Sequence, residues 1–128
     1  MTTQKFSLKK QVKSFSHAFN GLNSLLRYEH NFRIHLSAAL LAIALGVIFK
    51  ITINEWISLI LTIGLVLSLE TVNSSIECIA DIVSPQFNPK IKMVKDLLAA
   101  GVLIGAFTAL AIGCIVFVPK IIDLWPNK

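Results

Sequence analysis

The chain has 128 residues, 55% of them hydrophobic and only 15% charged, with a formal net charge of +5. A soluble domain carries about a quarter charged residues, so this balance excludes an ordinary water-soluble globule, and the length allows one domain at most, residues 1–128. The two cysteines, Cys78 and Cys114, sit in apolar stretches with no CxxC or histidine-spaced partner, which argues against a thiolate metal site or a disulfide framework and reads them as buried small hydrophobes.

The first 33 residues lack the continuous apolar run of a secretory signal, so the apolar segments are expected to be retained. Residues 4–33 read as an amphipathic helix: Leu8, Val12, Phe15, Phe19, Leu22 and Leu26 recur every three or four positions, with Lys5, Lys9, Lys10, Lys13 and Arg27 around them. Such a helix suits a membrane interface, apolar stripe down and lysines toward anionic headgroups.

A first span is expected over residues 34–50, closed by Lys50, with Arg33 and His35 at its edge. Asn54 reads as the N-cap of the next helix, with Trp56 at the interface, and a second span follows over 56–83. Ser84-Pro85 and Asn88-Pro89 break it. A third span is expected over 93–118, ended by Pro119, with Trp125 as an interfacial anchor in the tail. Along it Gly101, Gly105, Ala109 and Gly113 make a small-residue ridge that lets another helix approach closely. The fold class is therefore an all-α integral membrane protein, one amphipathic helix plus three transmembrane helices.

Lys5, Lys9, Lys10, Lys13, Arg27, Arg33, Lys90, Lys92 and Lys95 fall on one side of these spans, and only Lys50, Lys120 and Lys128 on the other. The positive-inside rule then puts the N-terminus and the 84–92 loop in the cytoplasm.

The second span carries the polar chemistry. Glu70, Asn73, Glu77 and Asp81 follow one another at offsets of three, four and four, which puts them on one helix face. A carboxylate at membrane depth costs roughly 2.5–3.5 kcal/mol on insertion scales, and such groups face a bundle interior or a wet cavity. Glu29 and the Lys95-Asp96 pair lie toward the same end. Carboxylates from several helices plus a lysine suit a magnesium–nucleotide site, although proton or cation pathways use the same residue types and a membrane scaffold is a third reading. There is no Walker A or dinucleotide-binding glycine motif. Glu55 and Asp123 read as solvated loop carboxylates, His17, His30 and His35 as interfacial or packing groups, and Phe19, Phe32 and Phe87 as packing residues.

The run Glu70-Thr71-Val72-Asn73-Ser74-Ser75-Ile76-Glu77-Cys78-Ile79-Ala80-Asp81 resembles the signature E-x-x-N-[ST]-[SA]-[LIV]-E-x-x-x-D of the small prokaryotic diacylglycerol and undecaprenol kinases. Glu29, within Arg27-Tyr28-Glu29-His30-Asn31-Phe32-Arg33, and Lys95-Asp96, followed by Leu97-Leu98-Ala99-Ala100-Gly101, fall where that family has its N-terminal glutamate and its lysine-aspartate pair. The resemblance covers residues 12–118. It implies Glu70 as the general base on a lipid hydroxyl, Glu29 and Glu77 as holders of the magnesium on ATP, and Asn73 as the group orienting Glu70 or substrate. It implies Lys95 on the transferring phosphate, with Asp81 and Asp96 supporting the nucleotide or its metal. It also implies a homotrimer in a bacterial cytoplasmic membrane, with MgATP and a membrane lipid alcohol as substrates and no nucleic acid. Val83-Ser84-Pro85, Asn88-Pro89 and Arg33-Ile34-His35-Leu36 resemble the undecaprenol branch, while Gln86-Phe87-Asn88 and Ala80 depart from it. Undecaprenol is the expected acceptor and diacylglycerol the alternative.

Overall fold

A computed structural model describes residues 7–124. The tail with Trp125, and residues 4–6 of the expected first helix, lie outside them. Four helices follow in order: α1, Leu8–Tyr28; α2, His30–Ile48; α3, Ile53–Val83; and α4, Pro89–Asp123. The last three are long and apolar enough to cross a membrane. α3 packs mainly on α4 and secondarily on α2, and α1 leans on α2.

The expected continuous helix over 4–33 is broken at Glu29, whose backbone is extended (φ −99°, ψ 111°) and both ends α1 and starts α2. No glycine or proline announces this break. It falls where an amphipathic stripe gives way to a uniformly apolar segment, and one straight rod cannot both lie along a surface and cross it. The stripe of α1 stays off the bundle: Leu8, Val12, Phe15 and Phe19 are 67–73% exposed, and Leu25 alone in α1 is buried. Phe19 and Phe87 are thus exposed rather than packed, whereas Phe32 is buried as expected. The first span starts at His30, not at residue 34, because Phe32 packs inward.

α2 ends in a Schellman turn, with Lys50 N–H donating to Val47 O (3.2 Å) and Ile51 N–H to Gly46 O (3.1 Å). Lys50 occupies the left-handed position (φ 49°) usually given to glycine. Ile51 then folds under the chain against Gly46, Trp56 closes over the same glycine, and both are within 3.1 Å of where a Cβ would stand.

The cap of α3 is Thr52, not Asn54, and the helix begins at Ile53 instead of residue 56. Thr52 and Glu55 form a capping box: Glu55 N–H donates to Thr52 Oγ1 (3.4 Å) and Thr52 N–H to Glu55 Oε2 (2.6 Å). The other carboxylate oxygen of Glu55 pairs with Lys120 at 3.0 Å. Glu55 is therefore no solvated loop group; it ties the start of α3 to the end of α4.

α4 starts at Pro89 rather than Met93, since proline is well suited to a first helical position and Asn88 Oδ1 caps Lys90 N–H at 2.9 Å. Nor does Pro119 end it. The helix runs on to Asp123, the proline forfeiting one backbone bond while Phe117 packing and the Lys120 ion pair hold the last turns. Ile51, Leu59, Val116 and Phe117 form the core at this end, where the Phe49 and Phe117 rings lie 6.2 Å apart. Further along, Gly105 is the ridge position at which α4 meets α3: a Cβ there would stand 2.9 Å from Leu69 Cδ1, whereas Gly101 and Gly113 face open space. Both cysteines are exposed on the single chain rather than buried.

Candidate active site at the loop end of the bundle

An α-helix rises 1.5 Å per residue, so the 31-residue α3 is about 46 Å long, against about 30 Å for a hydrocarbon core. Its last turns must emerge at headgroup level, and those turns carry the polar face. α2 leads away from this end, α3 returns to it and α4 departs from it. Glu29, the second half of α3 and the first turns of α4 are therefore neighbours by topology.

Glu70 is the most enclosed large side chain described, only 1% exposed, and its Oε2 has no hydrogen-bond partner among the described residues. The ionisable groups within electrostatic reach of it are His35 from α2, Glu29 from the α1–α2 break and Glu77 one turn of α3 beyond Asn73. Asn73 is buried too; its Nδ2 donates to Glu77 Oε1 at 3.2 Å, and its Oδ1 is unpartnered. Asn73 was expected to orient Glu70 or substrate; the bond its Nδ2 makes is to Glu77, which it holds in the rotamer seen. Ser74, on the same face, is buried, and its Oγ has no partner among the described residues.

Lys95 bonds Asp81 across the α3–α4 loop, and Glu77 is within its electrostatic reach. Asp96 stands apart: it pairs with Lys92 on the exposed side of α4. The structure thus brings together Glu29, Glu70, Asn73, Glu77, Asp81 and Lys95, and leaves Asp96 outside the group. Two residues beside this group were not expected from the sequence. His35 comes within electrostatic reach of Glu70 from a neighbouring helix, which no spacing along the chain could reveal. Ser74 stands one turn beyond Glu70, a signal present in the sequence but masked by the acidic residues around it.

A groove of about 690 Å³ opens beside these residues, between α1 and α3, with Glu29, Thr71 and Ser74 in its wall. A second, almost wholly apolar groove of about 530 Å³ runs between α2, α3 and α4, from His35 past Thr62 to Phe117.

Among the described residues no three histidine, cysteine or acidic side chains converge closely enough to hold a metal by themselves. Magnesium does not require that, being usually held by one or two carboxylates plus phosphate oxygens and water. Glu29, Glu77 and the unpartnered Asn73 Oδ1 are hard oxygen donors of the type it takes.

The chain is similar to known proteins of one family. The family model described as prokaryotic diacylglycerol kinase matches residues 16–117. The undecaprenol kinase of Bacillus subtilis is 35% identical over 114 residues, covering 89% of this chain and 93% of that protein. The diacylglycerol kinase of Synechocystis sp. is 29% identical over 112 residues, covering 87% and 64%. That of Escherichia coli K12 is 28% identical over 104 residues, covering 81% and 85%. With a family match across most of its length and three apolar helices that carry the signature at one end, this chain belongs to the prokaryotic diacylglycerol kinase family of membrane lipid kinases.

Proposed function

We propose that the protein transfers the γ-phosphate of MgATP to the hydroxyl of a membrane lipid alcohol, with undecaprenol as the acceptor and diacylglycerol as the alternative. The observation that carries the reading is the buried carboxylate of Glu70. It has an unpartnered oxygen in the second half of α3, toward the end of the bundle that carries Lys95 and the Asn73-Glu77 pair. An alcohol anchored by its tail and a water-soluble phosphoryl donor both reach such a place without crossing the membrane.

Glu70 accepts the proton of the lipid hydroxyl as its oxygen attacks phosphorus. Phosphoryl transfer otherwise needs positioning and charge neutralisation. Lys95 supplies part of the latter. Its pair with Asp81 is exposed to solvent and screened by it, so exchanging Asp81 for a phosphate oxygen is inexpensive. Magnesium, held by Glu29 and Glu77, would neutralise phosphate charge when bound. Asn73 holds Glu77 in the rotamer seen. Asp81 steadies Lys95 between turnovers, and Asp96, paired with Lys92, stays outside this group.

The choice of undecaprenol is supported by the relative from Bacillus subtilis and by the double-proline loop, Pro85 and Pro89, that links α3 to α4. The basic residues on the loop side favour a cytoplasmic active site, with α1 lying in the interface of a bacterial cytoplasmic membrane. The exposed apolar faces of a chain with so few spans favour a homotrimer that encloses the polar site.

The test is phosphate transfer from labelled MgATP in mixed micelles, with undecaprenol and diacylglycerol at matched surface concentration. Preference for undecaprenol is expected. Preference for diacylglycerol would keep the site and overturn the acceptor. Transfer to neither from folded protein would favour an ion pathway, checked by flux across sealed vesicles.

A further inference from the structure

Ser74 is a buried polar group that the roles above leave unused. It is 6% exposed, and its Oγ meets no hydrogen-bond partner among the described residues. Its neighbours behave otherwise. Thr71 donates to Leu67 O at 2.8 Å and Ser75 to Thr71 O at 2.7 Å, and buried Thr62 donates to Ser58 O at 2.7 Å. The equivalent acceptor for Ser74 would be the carbonyl of Glu70, and that bond is not made. A helical serine thus forgoes the local bond that would satisfy it, at a site where an unmade hydrogen bond is expensive.

Its position says what the hydroxyl serves. Ser74 lines the α1–α3 groove, whose α1 wall carries Leu22, Leu25 and Tyr28 and ends at Glu29, and whose α3 wall carries the hydroxyls of Thr71, Ser74 and Ser75. One side of the groove suits hydrocarbon and the other a polar head. Ser74 also stands four residues from Glu70, a rise of about 6 Å along the same helix face.

We propose that Ser74 Oγ hydrogen-bonds the acceptor hydroxyl of a membrane alcohol whose first methylenes lie in the α1–α3 groove, and so holds that oxygen toward Glu70. This rests on the lipid-kinase reading and adds to it the residue that chooses alcohol over water. In the transfer, the acceptor's proton passes to the Glu70 carboxylate and a bond forms between the acceptor oxygen and the γ-phosphorus. The bond from that phosphorus to the bridging oxygen breaks, and ADP leaves with its electron pair. Ser74 keeps its own proton throughout.

The experiment compares wild type with Ser74→Ala and Ser74→Thr in mixed micelles. It reads KM for the lipid alcohol, KM for MgATP, the ratio of lipid phosphate formed to ATP hydrolysed by water, and the melting temperature. One neutral hydrogen bond corresponds to about a 3–10-fold effect. For Ser74→Ala we expect the lipid KM to rise by about that factor, the MgATP KM to stay within about twofold, and the ratio to shift toward hydrolysis. The melting temperature should not fall, because an unpartnered hydroxyl is being removed. Ser74→Thr, which keeps the hydroxyl, should recover coupling. A lower melting temperature or loss of assembly in Ser74→Ala would make the hydroxyl structural and overturn the proposal, as would unchanged lipid KM and coupling in an active enzyme. Wild-type protein that phosphorylates no lipid alcohol would instead overturn the lipid-kinase reading itself, and this inference with it.

Discussion

Glu70 illustrates how burial and chemistry meet in one residue. A carboxylate enclosed this deeply, with one oxygen unpartnered, is a poor stability element and a good proton acceptor. Glu70→Gln keeps the shape and removes the base. Lipid phosphorylation should fall by about 10²–10⁴-fold while the melting temperature does not drop; retained turnover in a folded variant would take Glu70 out of that role. Glu77 is different. Its Oε1 is fixed by Asn73, so Glu77→Ala should move the magnesium titration of activity to higher concentration. A titration curve that stays put would argue against it as a ligand. The residue scale is where the sequence was most legible: the offsets among Glu70, Asn73, Glu77 and Asp81 already place them on one face.

At the scale of elements, the α2–α3 turn concentrates the constraints. Gly46 lies under Trp56, and a Cβ there would approach Trp56 Cη2 to 2.9 Å and Ile51 Cδ1 to 3.1 Å. Neither a ring wedged in the turn nor a buried isoleucine yields easily. Gly46→Ala should therefore cost about 1–3 kcal/mol, read as a lower melting temperature in detergent. Two residues on, Thr52 closes the capping box of α3, and Thr52→Ala should cost about 1 kcal/mol by the same measurement. Both changes sit far from Glu70, so the specific activity of the protein that remains folded should be preserved. Gly105→Ala is the milder case on α4, because the atom it meets is the movable end of Leu69.

For the whole molecule, the decisive feature is how little of it is covered. Large apolar side chains are exposed along every helix, from Leu8 in α1 to Leu124 beyond α4. Lipid accounts for much of that surface. The groove between α2, α3 and α4, lined by Ala38, Ala39, Ala42, Ala106 and Gly113, is open because small residues are there. α3 and α4 are tied at both ends, by Asp81–Lys95 at the loop and Glu55–Lys120 at the far end. The assembly is expected to be three such pairs with their α2 helices, and light scattering of the detergent complex should give three chains per particle. A fully active monomer would overturn that expectation.

The sequence by itself determined the number of spans, the membrane environment and the acidic face of α3, because hydropathy and helical periodicity are properties of neighbours along the chain. The placing of Glu29 and Lys95 at the same end also followed, since alternating spans leave no other arrangement. The element boundaries were less legible. Proline at 89 and 119 read as a breaker, whereas the structure uses the first as a helix start and carries the second inside α4. The break at Glu29 has no glycine or proline to mark it. Tertiary structure alone decided that Glu55 joins α3 to α4, that His35 comes within electrostatic reach of Glu70, that Asp96 pairs away from the site, and that Ser74 is buried without a partner among the described residues. Each depends on distances between different helices, or on what packing encloses, and those are settled only when the helices meet.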